Sequence, residues 1–292
     1  MNQTSFKKIS DYKELIKKEV LLFKKDYNAF FKINQSKPKK IGKPFLLKNK
    51  LSNTGILLIH GLMAAPEEVR EIGEIFHSKG YSVYAPRLAG HGTSPKDLSS
   101  KKYSDWIESV DKGYEVIKNI CDKIIIAGFS TGGGIALHQA LTKPEKFEAV
   151  ISISAPLKFK GFSFHFTEIV NYWNLLAQKK GINKFKKIYV TNHPDNPHIN
   201  YTSCPVSSIK EVRALMKKVY KSLPMLSIPS LIIQAKDDPK VDGKSGRKIF
   251  AKIKNKYKQY QEIDFNKHGI VRGKIKNKVY EGIDKFLNSI LS

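Results

Sequence analysis

From Gly55 onward, short β-branched runs alternate with stretches whose apolar residues recur every three or four positions. That alternation predicts βαβ units and a mainly parallel sheet. Strands are expected at Gly55–His60, Tyr81–Ala85, Lys123–Ala127, Ala149–Ser154, Ser230–Ala235 and Tyr257–Ile263. In the first intervening helix Val69, Ile72, Ile75 and Phe76 share a face, and Gly80 is the residue type suited to a left-handed helix stop. In the last helix Ile275, Val279, Ile283, Phe286, Leu287 and Ile290 form the buried stripe.

Two segments depart from the alternation. Residues 1–45 are basic and amphipathic: Tyr12, Leu15, Ile16, Val20, Phe23, Tyr27 and Phe30 recur at helical spacing with lysines between them. One or two helices packed on the domain are expected there, with docking on a membrane surface or a lid over a lipid site as the other reading. Between Ala155 and Pro229 no clear strand is expected, only helix-like segments rich in aromatics and lysine. The organisation expected is thus an extension over 1–45 and one domain over 46–292, interrupted by a helical cap insertion at about 156–228.

A chain of 292 residues, 41% of them hydrophobic, can bury a large core. Its apolar runs are too short to span a bilayer, and the lysine-rich start is broken by charges too soon for a secretory signal. With only Cys121 and Cys204 present, a reducing cytoplasm is the simplest compartment. The formal charge of +26 would attract polyanions and anionic lipid. Lysine is nevertheless scattered through every segment beside many Asn and Ile, as AT-rich codon usage would produce. The charge therefore predicts no specific nucleic-acid partner, and at most a peripheral contact with anionic membrane.

Chemistry enters at Gly128-Phe129-Ser130-Thr131-Gly132, which follows an apolar strand and opens a helical pattern. A serine on a tight strand-to-helix turn needs small residues two before and two after it, and Gly128 and Gly132 supply them. The helix amino terminus beneath Ser130 favours developing negative charge. Candidate oxyanion donors are the amide of Thr131 and, from the loop His60-Gly61-Leu62-Met63, the amide of Leu62. His60 is read as bracing that loop rather than moving a proton.

These residues resemble the bacterial carboxylesterase and monoacylglycerol lipase group of α/β-hydrolases. The likeness rests on His60-Gly61-Leu62-Met63-Ala64-Ala65-Pro66, the stretch Ala85–Ser94, Gly128–Gly133 and Asp238-Pro239-Lys240-Val241. It covers roughly residues 55–290 and leaves the extension unexplained. The resemblance implies an α/β-hydrolase fold with a mainly parallel central sheet flanked by helices. It also implies carboxylic-ester hydrolysis, on short- to medium-chain esters or monoacylglycerols, without cofactor or metal.

The acid of such a site follows a late strand, where Asp237 and Asp238 stand. In the similar enzymes an apolar residue stands three positions after the acid. Val241 does so for Asp238, which makes Asp238 the candidate and Asp237 the runner-up. His268, the only histidine beyond the acid, is the candidate base, although Lys267 precedes it where a small residue is usual. His91 is read as a loop brace, and the set His193, Asp195 and His198 as a turn-rich loop rather than metal ligands. The cap aromatics, among them Phe159, Phe162, Phe164, Phe166, Tyr172 and Trp173, with Leu175 and Leu176, would suit an acyl chain or the cap's own core. An acyltransferase or amidase would use the same three residues, and a basic binding protein on an idle hydrolase scaffold is the reading from outside enzymes.

Overall fold

The computed structural model describes residues 3–160 and 188–291, with side chains from residue 12 onward. In chain order its strands are β1 (Phe45–Leu47), β2 (Thr54–Ile59), β3 (Ser82–Ala85), β4 (Lys123–Phe129), β5 (Ala149–Ile153), β6 (Tyr189–Thr191), β7 (Ser203–Pro205), β8 (Ser230–Ala235) and β9 (Lys258–Ile263). The helices are α1 (Gln3–Phe30), α2 (Lys39–Gly42), α3 (Arg70–Ser78), α4 (Pro95–Ser99), α5 (Tyr103–Lys118), α6 (Thr131–Thr142), α7 (Val206–Ser222), α8 (Lys244–Lys252) and α9 (Lys276–Leu291).

Successive side chains of a strand face opposite ways, and here both faces are apolar. Along β2, Leu57 and Ile59 join one buried layer and Ile56 and Leu58 the other; along β4, Ile124 and Ile126 oppose Ile125 and Ala127. Trp106 and Val110 of α5, Ile135 of α6 and Val212 of α7 cover the first layer. Ile72 and Phe76 of α3, with Val279, Ile283 and Phe286 of α9, cover the second. The seven-stranded sheet runs β1-β3-β2-β4-β5-β8-β9. Only its edge strand β1 is antiparallel, so β2, β4, β5, β8 and β9 present their carboxyl ends along one edge.

Each strand expected from the pattern forms within two residues of its expected bounds, and Gly80 adopts φ +99° just past α3. Two features depart from expectation. β1 is added on the sheet's edge, and the span expected to lack strands holds the antiparallel ribbon β6–β7. All three strands have three residues, too few for an alternation to register. Of the cap aromatics Phe159 is described, while Phe162, Phe164, Phe166, Tyr172, Trp173, Leu175 and Leu176 lie outside the described residues. Among the described residues no helix is long and apolar enough to cross a membrane.

In the extension α1 packs against α5, burying Tyr12, Phe23 and Tyr27, and the short α2 follows it. Polar contacts fasten it too: Tyr84 Oη donates to Glu19 Oε2 at 2.7 Å, and Arg87 Nη2 to Asp26 Oδ2 at 2.5 Å. Burial raises the Glu19 carboxyl to about 7, against the opposing pull of Tyr84 and Arg87. A carboxyl that holds its proton better folded than unfolded favours the native state at acid pH. That contribution is lost as pH rises from 4.5 through about 7. Glu19→Gln is therefore expected to stabilise the chain by about 3 kcal/mol at about pH 8 and by much less at about pH 5. Thermal unfolding at the two pH values checks this; an equal shift in Tm at both would mean the carboxylate is buried there without cost.

Candidate active site

β4 passes directly into α6, and the residue at the junction is Ser130, with φ +54° and ψ −121°. A side-chain-bearing residue rarely adopts that conformation, so neighbours must hold it. The Ser130 amide donates to Ile153 O at 2.7 Å, while the amides of Gly133 and Gly134 donate to its carbonyl. The turn is so tight that a Cβ on Gly128 would sit 2.2 Å from Gly132 O, and one on Gly132 2.4 Å from Ile59 O. Glycine is required at both places because backbone, rather than a movable side chain, fills the space.

Asp238 stands in the loop after β8 and His268 in the loop after β9, at the same sheet edge as Ser130. His268 Nε2 lies 2.9 Å from Ser130 Oγ, and His268 Nδ1 lies 2.6 Å from Asp238 Oδ2. The other Asp238 oxygen accepts from the amides of Lys240 at 2.8 Å and Val241 at 3.0 Å. Burial alone would raise the Asp238 pKa; the neighbouring His268 and the two amides outweigh it and hold the carboxyl below its ordinary value. Because an ionised carboxylate only accepts, Nδ1 must carry the proton, which leaves the Nε2 lone pair facing the serine hydroxyl. Asp238 is fully buried, whereas the runner-up Asp237 is exposed. Lys267 also faces solvent, so the unusual residue before the histidine leaves the site's geometry alone.

The pocket over Ser130 is walled by Gly61, Leu62 and Met63 on one side and Thr131 on another. Thr131 opens α6, whose first amides have no partner within the helix and carry its positive dipole end. Leu62 lies between Gly61 and Met63, itself at φ +63°. His60 Nδ1 donates to Gly61 O at 2.9 Å and its Nε2 accepts from the Leu88 amide at 3.2 Å. Burial lowers its pKa to about 4, which suits a neutral brace. His91 is likewise fully buried, its pKa held down by burial and by His60, and its Nδ1 meets Ala89 O at 3.1 Å.

Several pocket residues escape a reading of the sequence. Glu68 is buried, with Oε2 accepting from the Gly61 amide at 2.8 Å and Oε1 from Asn200 Nδ2 at 3.1 Å. Burial raises its pKa, opposed by those two donors. Asn192 and Asn196 line the same pocket beside Asp195 from the loop between β6 and β7, while Phe159 and Val241, both named from the sequence, join Leu62, Met63 and Phe129 as its apolar members. Asp195 Oδ2 accepts from the Gly269 amide at 2.9 Å, tying that loop to the residue after His268. Among the described residues no His, Cys, Asp or Glu group could hold a metal ion, so His193, Asp195 and His198 form no such set. Glu68 carried no signal because an acidic residue in the short 3-10 turn Pro66–Val69, just ahead of α3, is ordinary.

Comparison with known proteins agrees with this architecture. A solved structure from the metagenome-derived lipolytic enzymes LipS and LipT superposes with a TM-score of 0.75 at 24% identity, covering 87% of this chain and 100% of that one. That likeness establishes the α/β-hydrolase fold. The carboxylesterase of Bacillus subtilis (strain 168) is 26% identical over 249 residues, 85% of this chain and 97% of that protein. The thermostable monoacylglycerol lipase of Bacillus sp. (strain H-257) is 27% identical over 228 residues, 77% of this chain and 86% of that protein. The family model described as serine aminopeptidase, S33, matches residues 52–274. The chain is a hydrolase of α/β-hydrolase fold and belongs to the serine aminopeptidase S33 family.

Proposed function

We propose that this hydrolase cleaves carboxylic esters, taking short- to medium-chain esters or monoacylglycerols, by way of an acyl-enzyme on Ser130. The observation that carries the reading is the unbroken path from Ser130 Oγ to His268 Nε2 at 2.9 Å and from Nδ1 to buried Asp238 at 2.6 Å. As the serine oxygen attacks the acyl carbonyl, His268 Nε2 takes its proton, and Asp238 stabilises the imidazolium. The amides of Leu62 and Thr131 receive the oxyanion. The tetrahedral intermediate collapses, the imidazolium returns the proton to the leaving alcohol, and the acyl group stays on Ser130. Water, deprotonated by the same imidazole, then attacks the acyl carbon, and the imidazolium returns that proton to Ser130 Oγ as the carboxylic acid leaves.

The substrate class is supported by the carboxylesterase and monoacylglycerol lipase relatives. Residues 156–228 would act as the cap over the pocket, since Asn192, Asp195, Asn196 and Asn200 of that span already line it. Peripheral contact with anionic membrane belongs to the same proposal, supported by Lys17, Lys18, Lys24 and Lys25 around the exposed Leu21 and Leu22 of α1. The cytoplasm is the compartment proposed, because a chain with a core of this size needs no disulfide from its two cysteines.

Treatment with a fluorophosphonate followed by peptide mass spectrometry tests the nucleophile. The adduct is expected on the peptide containing Ser130 alone, together with turnover across a p-nitrophenyl ester panel. An adduct elsewhere, or ester turnover without one, defeats the assignment. Competing alcohols and amines in the same assay separate hydrolysis from acyl transfer.

A further inference from the structure

The extension ahead of the family's matched residues is built into the walls of the site. Ile41 of α2 packs with Ala64 and Ala65, which follow Leu62 and Met63, and with Ile199 of the β6–β7 loop. These four form a buried cluster separate from the two layers on the sheet. Lys37 Nζ donates to Pro197 O at 2.7 Å, a second tie to the β6–β7 loop. The contact is close on the other side as well: a Cβ on Gly92 would fall 2.6 Å from Gly42 Cα, and one on Gly42 2.5 Å from the Phe23 ring.

A second line of contacts starts in α1. Asp26 accepts from Arg87, whose Nη1 donates to His91 O at 3.2 Å. Leu88, the next residue, donates its amide to His60, and His60 grips Gly61 O. Both lines end on the loop 60–65, which needs holding because Met63 sits at φ +63°. The β6–β7 loop holds it from above, with the Tyr201 amide donating to Met63 O at 2.9 Å and Asn200 reaching Glu68.

We infer that the extension is a positioning element of the site: through Ile41 and Asp26 it fixes the loop 60–65 so that the Leu62 amide faces the oxyanion formed at Ser130. This rests on the ester-hydrolase reading. Since the Ile41 cluster stands apart from the main core, loosening it acts on the loop before it acts on global stability. The effect therefore falls on the chemical step, where the donor is used, and spares ground-state binding.

The test uses full-length Ile41→Ala, Ile41→Val and Asp26→Asn proteins, with rates for p-nitrophenyl butyrate expressed per site titrated by fluorophosphonate. Ile41→Ala is expected to lower kcat about tenfold with KM changed by less than about twofold, a part of what outright loss of an oxyanion donor costs. Ile41→Val should recover most of the loss, and Asp26→Asn should show the same split. Hydrogen exchange should quicken in the peptide carrying residues 60–65 and stay unchanged in β4. Unchanged kcat per titrated site, or unchanged exchange in that peptide, overturns the proposal. Should Ile41→Ala fail to fold, Asp26→Asn carries both readouts, with the same fall in kcat and the same quickened exchange expected. A wild-type chain that neither hydrolyses esters nor takes the label refutes the hydrolase reading, whereas exchange in the 60–65 peptide judges the extension's hold on the loop regardless.

Discussion

Ser130→Ala is expected to lower ester turnover about a million-fold while leaving the fold intact, because the hydroxyl is the proposed attacking group and every later step needs its acyl adduct. Alanine keeps a Cβ on the same strained backbone, and the bonds from the Ser130 amide and carbonyl are untouched by the change. Thermal unfolding should therefore differ little from wild type, and the fluorophosphonate adduct should vanish. Residues acting as one unit are strongly non-additive, so removing His268 as well should cost almost nothing further. Turnover surviving in the alanine variant, in protein shown to be folded, removes Ser130 from its role.

Asp238→Asn is expected to lower kcat about ten-thousand-fold, and the geometry says why. The amides of Lys240 and Val241 demand an acceptor at the Oδ1 position, so the asparagine carbonyl oxygen takes that place. Its NH2 group then faces His268 Nδ1. The imidazole must accept there, which puts its proton on Nε2, the atom that has to accept from Ser130. The base is held in the wrong tautomer although its ring has scarcely moved. KM should change by less than about twofold, and Asp237→Asn, at an exposed position, should leave the rate nearly unaltered. A loss below about tenfold for Asp238→Asn would defeat the orienting role.

What the sequence made legible was whatever a local pattern can carry. The apolar runs of β2, β4, β5 and β8 register because both faces of those strands are buried, and Gly128 and Gly132 flank Ser130 because no larger residue fits. The order of strands placed Asp238 and His268 after β8 and β9, and the structure brings His268 within hydrogen-bond reach of both Asp238 and Ser130. Three-residue strands such as β1 and β6 leave no such trace. Neither does Glu68, whose burial depends on Asn200, 132 positions away. The helical spacing of Tyr12, Phe23 and Tyr27 foretold a packed α1, but nothing in it told that Ile41 would meet Ala64 and Ile199.

The tie between Lys37 and Pro197 joins residues 160 apart. At ribosomal speeds of about 5–20 residues per second, the extension emerges on the order of ten seconds before the surface that completes its seat. During that interval Ile41, buried in the finished protein against Ile199, is without that seat. Lysines at 17, 18, 24, 25, 32, 37, 39 and 40 then give the nascent extension a charge that repels its own copies. The same cations that decorate the mature surface thus guard the chain while it waits to close on itself.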